Sequence, residues 1–170
     1  MDHIHILFLC TGNATRSVLA GAALRAHAPQ LEVMTAGTLS IDGLPMSWRT
    51  RAGFEAVGLN RPAHRSRQVT PTDLDRATLV IGLAPEHVDW VRREHRSAAA
   101  RTATLKRLVR DLAADDRPLA ERIAELDLAA QALGPWEEVV DPGGGEVEAF
   151  TACAYEVVEL IEQLAPRLAA

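Results

Sequence analysis

Cysteine is scarce in this 170-residue chain: Cys10 and Cys153 are the whole supply. Two thiols cannot build a disulfide framework, and they suit a reducing, cytoplasmic setting. Also missing is any apolar run long enough to cross a bilayer. The opening MDHIHILFLC lacks the basic leader and small-residue cleavage site of a secretory signal, so neither export nor a membrane partner is expected. Nor is positive charge in surplus. The 18 Lys and Arg against 23 Asp and Glu leave a net charge of −5, which argues against nucleic acid as a partner. Basic residues gather between positions 49 and 110 while the last third is acidic, an unevenness that reads as a solvated mixed surface. No internal repeat and no low-complexity linker divides the chain.

What remains is ordinary globular material, 48% hydrophobic and 24% charged, enough for one domain over residues 1–170 with its own core. HIHILFLC reads as a strand apolar on both faces, as a central parallel strand should be. A helix is expected over 17–27, stopped by Pro29, and a second strand over 31–37. A Gly/Pro-containing loop, SIDGLPMS, leads to a helix over 48–57 that Gly58 would cap. The third strand is 77–84, and Pro85 opens a helix through EHVDWVRREH. Residues 103–108 fit a fourth strand, although LKRLVRDL fits a helix equally well. The stretch 116–133 reads as an extra amphipathic helix. The last helix places Phe150, Cys153, Val157, Ile161, Leu164 and Leu168 on one stripe. Strands alternating with helices predict an α/β domain: a parallel sheet with helices on both faces. Ligands of such sheets bind beyond the carboxyl ends of the strands, where Cys10 falls.

Between that strand and the next helix run Thr11, Gly12, Asn13, Ala14 and Thr15, with Arg16 and Ser17 opening the helix. A short loop of this kind turns its N–H groups inward and adds the positive end of a helix, making an anion site of phosphate size. Gly12 is free to take positive φ, and Asn13 tolerates the left-handed region and can tie its side chain to nearby backbone. Arg16 offers a planar fork for two phosphate oxygens. Those donors favour the thiolate form of Cys10, and Ser17 is placed to donate to it, so the loop describes an activated nucleophile beneath a tetrahedral dianion. The terminal Gly-Lys-Ser/Thr of a nucleotide loop is absent, and one glycine stands where a dinucleotide fingerprint needs three.

CTGNATRS resembles the signature of the low-molecular-weight protein tyrosine phosphatases, Cys-x-Gly-Asn-x-x-Arg-Ser. The likeness continues in family order through MTAGT, GLPMSWRTRAGFEAVGL, HRSRQVTPTDLDRATLVIGLAPEH and VVDPGGGEVEAF. It implies a flavodoxin-like four-stranded parallel sheet and hydrolysis through a phosphocysteine, with neither metal nor cofactor. By matched position Cys10 is the nucleophile, Arg16 the phosphate clamp and Asp141 the general acid. Residues 11–17 would wrap the phosphate, with Asn13 and Ser17 holding the loop from behind. The implied partner is a phosphorylated protein, tyrosine by family habit, or a small phosphomonoester; the oligomeric state is left open.

Several positions depart from the pattern. Val18 replaces the usual proline, and Thr15 stands where many members carry a second cysteine, which removes that route to a protective disulfide. Gly143 and Gly144 replace the aromatics that follow Asp-Pro, and the SIDGLP loop has no aromatic wall, so the slot for a phenyl ring is undefined. Ala14 matches neither the bulky residue of tyrosine-directed members nor the threonine of phosphoarginine phosphatases. The segment 115–133 is longer than the usual connection, a helical insertion. Other readings are a phosphoarginine or small-molecule phosphatase and a non-catalytic phosphoryl-binding module. An arsenate reductase would need shuttle cysteines that this chain lacks. His3 and His5 have the spacing of a metal pair but read as strand-start residues. His87 and His95 are too far apart for one i, i+4 pair, His64 is read as structural, and Trp48, Trp90 and Trp136 as packing residues.

Overall fold

The first strand, β1 (His5–Cys10), turns Ile6, Phe8 and Cys10 to one side and Leu7 and Leu9 to the other, and all five are buried in the computed structural model, which describes residues 3–169. A strand apolar on both faces belongs at the centre of a covered sheet. There it lies: β2 (Glu32–Gly37) flanks it on one side and β3 (Leu79–Gly82) on the other, and β4 (Thr102–Thr104) completes the order β2-β1-β3-β4, every pairing parallel. The register pairs His5 with Glu32 and Cys10 with Gly37, so β1 and β2 end level. This is the α/β sheet expected.

The Cys10 face is covered by α1 (Arg16–His27), α2 (Trp48–Val57), α5 (Leu105–Asp111) and α7 (Val147–Leu168). The opposite face is covered by α3 (Pro71–Arg76) and α4 (Pro85–Glu94) through Leu74 and Val91. The predicted stripe of α7, from Phe150 to Leu168, is buried throughout. Phe8 is fully buried beneath these helices, and truncating such a side chain to alanine costs roughly 3–5 kcal/mol.

Local signals explain most boundaries. Ser47 caps α2 by accepting from Thr50 N, and Gly58 closes it in the left-handed region at φ 70°. Three readings need correction. The fourth strand is only three residues long, and the rest of 103–108 is helical, because Thr104 accepts from Arg107 N and starts α5. The stretch 116–133 is not one helix. It holds α6 (Leu119–Ala124), then Asp127 at φ 49° breaks the run before a 3-10 turn at Leu128–Ala130. Arg122, which an amphipathic helix would turn outward, is fully buried and donates to the carbonyls of Ala113, Arg117 and Arg167. Finally, α3 has a capping box: Thr70 accepts from Asp73 N, and Asp73 accepts from Thr70 N. Thr-Pro-x-Asp is a helix start signal in its own right, although no helix is expected there from the apolar pattern.

Candidate active site

The loop from Cys10 to Thr15 is held by its carbonyls. Thr38 N donates to Cys10 O at 2.9 Å, Leu39 N to Thr11 O at 3.0 Å, and Ser40 Oγ to Gly12 O at 2.8 Å. His64 Nε2 donates to Asn13 O at 2.7 Å and Thr50 Oγ1 to Ala14 O at 3.4 Å. All peptide bonds among the described residues are trans, and in a trans peptide the C=O and the following N–H point in opposite directions. Drawing five carbonyls outward therefore turns the N–H groups of residues 11–15 to the other side. Among the described residues the N–H groups of Gly12 to Thr15 donate to no protein acceptor. The N-terminus of α1 begins at Arg16 and adds its partial positive charge.

Of the two residues able to take positive φ, it falls on Asn13, at 52°. The asparagine sustains it with a full set of bonds. Asn13 Nδ2 donates to Ser17 Oγ and Thr35 Oγ1, both at 3.0 Å, and its Oδ1 accepts from Arg67 N at 3.0 Å. Since Ser17 Oγ receives that proton, its own O–H is free to donate to Cys10 Sγ, 3.0 Å away. A thiolate gains from such a donor.

Arg16 is almost fully buried and reaches across to the Asp-Pro segment. Its Nη1 donates to Val139 O at 3.0 Å, and its Nη2 lies 3.6 Å from Asp141 Oδ2 and 4.0 Å from Glu86 Oε1. Val139 N donates to Leu83 O at 2.8 Å, pinning that segment to the end of β3. Gly143 N donates to Asp141 Oδ1 at 2.9 Å and leaves Oδ2 on the Arg16 side. Cys10, Arg16 and Asp141, which lie far apart in sequence, thus line one cavity of about 230 Å³ together with Gly12, Ala14, Thr15, Ser47 and Gly143. Phe150 is the one aromatic residue in its wall.

His87 belongs to the site, although in the sequence it was weighed only as a partner for His95. Ala84 N donates to its Nδ1 at 3.1 Å, so the ring carries its proton on Nε2 and donates to Thr11 Oγ1 at 3.0 Å. Arg16 Nη2 points at the same hydroxyl from 3.5 Å. Burial, and then the charge of Arg16, push the pKa of His87 down to about 3, so the ring stays neutral at ordinary pH. A signal existed: a polar side chain three residues into a helix opened by proline can turn back onto the cap.

Thr15 bonds to Thr50 on α2, oxygen to oxygen at 2.8 Å. Cys153 is free and buried on α7, and burial pushes its thiol up to about 12. The metal pair considered for His3 and His5 has no geometry to support it. His5 Nδ1 sits 3.0 Å from Glu32 Oε2, and among the described residues no group of three ligating side chains is found. Nor, among those residues, is any helix long and apolar enough to cross a membrane.

A parallel α/β sheet with a thiol at the end of its central strand, ringed by unengaged N–H groups and an arginine, defines a cysteine-based phosphoryl-transfer fold. Residues 5–127 match the family described as low molecular weight phosphotyrosine protein phosphatase. A protein-arginine-phosphatase of Geobacillus stearothermophilus is 30% identical over 164 residues, covering 96% of this chain and 95% of its own. The solved structure of the YwlE arginine phosphatase from the same organism superposes with a TM-score of 0.75 at 29% identity, over 95% of this chain and 90% of that one. The tyrosine phosphatase Wzb from Escherichia coli K30 shares the fold, with a TM-score of 0.74 at 20% identity over 98% and 92% of the two chains. The chain belongs to the low-molecular-weight phosphatase family.

Proposed function

We propose that this protein hydrolyses phosphorylated protein side chains through a phosphocysteine. The supporting observation is the ring of free N–H groups around the cavity that Cys10 lines, with Arg16 at its edge. In the first step the Cys10 thiolate attacks phosphorus, the bond to the leaving group breaks, and Asp141 gives that group a proton. In the second step water attacks the phosphocysteine, Asp141 takes the water's proton, and Cys10 leaves as thiolate with release of inorganic phosphate. The N–H groups and Arg16 meet the charge on the equatorial oxygens in both steps.

A polypeptide substrate fits the rim. Leu39, Ile41, Leu44 and Trp48 are 80%, 71%, 51% and 54% exposed along the segment that braces the loop through Ser40 and lines the cavity through Ser47. Side chains of this kind left in water suit contact with another protein. Phosphoarginine is favoured over phosphotyrosine as the phosphorylated residue. Phe150 is the only ring in the cavity wall, whereas the carboxylate of Glu86 lies 4.0 Å from Arg16, where a positively charged guanidinium can donate to it while Asp141 serves as the acid. The likeness to arginine phosphatases over nearly the whole chain points the same way.

Peptides carrying phosphoarginine, phosphotyrosine and phosphoserine, compared by kcat/KM in the presence of a chelator, test both levels of the reading. Turnover that Cys10→Ser abolishes, greatest on phosphoarginine, is expected. Asp141→Asn should lower kcat by about 10²-fold or more for poor leaving groups and much less for good ones. Wild-type turnover in the Cys10→Ser variant would end the phosphocysteine route, and a phosphotyrosine preference would reverse the choice of substrate.

A further inference from the structure

A second cavity, about 400 Å³, opens on the far side of the phosphate loop between α1, β2 and the 62–67 segment. The charged side chains in its lining are all arginines, Arg25, Arg65 and Arg67, with Thr35 and His64 beside them. No carboxylate lines it. Arg67 Nη1 is paired with Asp73 Oδ2 at 2.9 Å, but among the described residues Arg25 and Arg65 form no ion pair. Each of these two is steadied only by a carbonyl: Arg25 Nη2 donates to Val33 O at 2.8 Å and Arg65 Nη1 to Gly43 O at 3.2 Å. Guanidinium groups gathered without counter-charge repel one another, and partial desolvation at the cavity wall lowers the pKa of Arg25, as expected of a cation short of compensation. The remaining wall is apolar, formed by Val18, Val33, Met34 and Pro62. Planar forks facing an apolar surface, in a space at the lower end of ordinary ligand volumes, suit a phosphate group attached to a ring or similar body.

This cavity shares its wall with the fasteners of the phosphate loop. Three partners of Asn13 come from residues that line it: Thr35 Oγ1, Arg67 N and His64 Nε2. Asn13 in turn holds Ser17 against Cys10. We infer that the cavity binds a small organic phosphate with an apolar body, and that its occupant reaches the phosphate loop through Asn13. Only the coupling rests on the phosphatase reading. The binding itself needs no turnover.

Calorimetric titration of the full chain with Cys10 alkylated by iodoacetamide, which blocks the catalytic cavity without an oxyanion, separates the two sites. The probes are adenosine 5′-monophosphate and 1-naphthyl phosphate, with adenosine and 1-naphthol as uncharged controls. At least one phosphate should bind at one site per chain, ten-fold or more tighter than its control. Arg25→Gln and Arg65→Gln, both exposed and outside the catalytic cavity, should each weaken it ten-fold or more while leaving kcat/KM on a phosphopeptide as in the wild type. On saturation, the side-chain amide resonance of Asn13 should move in the wild type and stay fixed in the double variant. No saturable binding of either phosphate, equal binding of the controls, or binding unchanged in both variants would overturn the inference. An Asn13 resonance that does not move while binding is intact would overturn the coupling. Failure of the phosphatase reading shows elsewhere, as absent Cys10-dependent turnover.

Discussion

Gly37, the last residue of β2, decides how closely the loop from Cys10 to Thr15 can approach the sheet. A Cβ there would lie 2.5 Å from Thr11 O, 2.8 Å from Ser40 Cβ and 3.0 Å from Asn13 N. Two of these neighbours are backbone, so no side-chain rotation relieves the contact, and the loop itself would have to move. Gly37→Ala should cost about 1–3 kcal/mol in chemical denaturation. It should also lower kcat/KM by about 10²-fold, as small displacements of reacting groups do. Activity close to wild type would show that the loop tolerates the shift. Gly12, by contrast, has open space where a Cβ would project, with nothing within 4 Å, and no positive φ. At the residue scale the sequence pointed to the right loop but not to the tight packing of Gly37, because close approach between distant segments leaves no mark in local spacing.

Among the elements, the segment that delivers Asp141 depends on a buried ion pair. Glu137 is fully buried in the 3-10 turn Pro135–Glu137. Its Oε1 accepts from Arg107 Nε at 2.9 Å and from Thr104 Oγ1 at 2.8 Å, and its Oε2 from Arg107 Nη2 at 3.1 Å and Gly134 N at 2.7 Å. Burial alone would raise the pKa of this carboxyl, but the donors outweigh it and hold it below the usual range. The stability it provides is therefore present above the ordinary glutamate range and is lost as pH falls through the lowered value. Glu137→Ala leaves the buried Arg107 with only the more distant Asp111 as counter-charge, at 3.3 Å, and should cost about 3 kcal/mol at neutral pH by urea denaturation. A loss under about 1 kcal/mol, the range of an exposed pair, would mean that the pair is not structurally important. Nothing in the sequence tied Glu137 to Arg107, 30 positions away, whereas α1 and α7 were legible because their signals, a proline stop and a 3.6-residue stripe, are local. The helix read over 116–133 failed for the complementary reason: its period was plausible, but Arg122 is needed inside to satisfy carbonyls of three separate segments.

For the whole molecule, His87 links acidity to stability. Its folded pKa, about 3, lies below the ordinary histidine value of 6.5. Below about pH 6.5 the unfolded chain takes up a proton that the folded chain refuses. The contribution is thus complete above that value and declines as pH falls toward 3, at up to about 1.4 kcal/mol per pH unit. Between about pH 7 and pH 5, wild type should lose about 2 kcal/mol more than His87→Gln, which keeps a donor for Thr11 and cannot titrate in this range. Parallel stability curves would remove His87 as the cause. The parallel sheet, the covering of both faces and the place of Cys10 at a strand end could be read in advance from alternation and length, but the strand order could not. The fastening of the site could not, because it is assembled from residues far apart in the chain.

That fastening bears on the history of each molecule. The groups that shape the surroundings of Cys10 come from Thr38 to Ser40, Thr50, His64 and Arg67, while Arg16 is anchored by Val139. A ribosome-bound fragment that ends before these positions carries only an ordinary cysteine in a flexible peptide. The setting of Cys10 is therefore completed late, once the distant segments that fasten its loop have been made and folded.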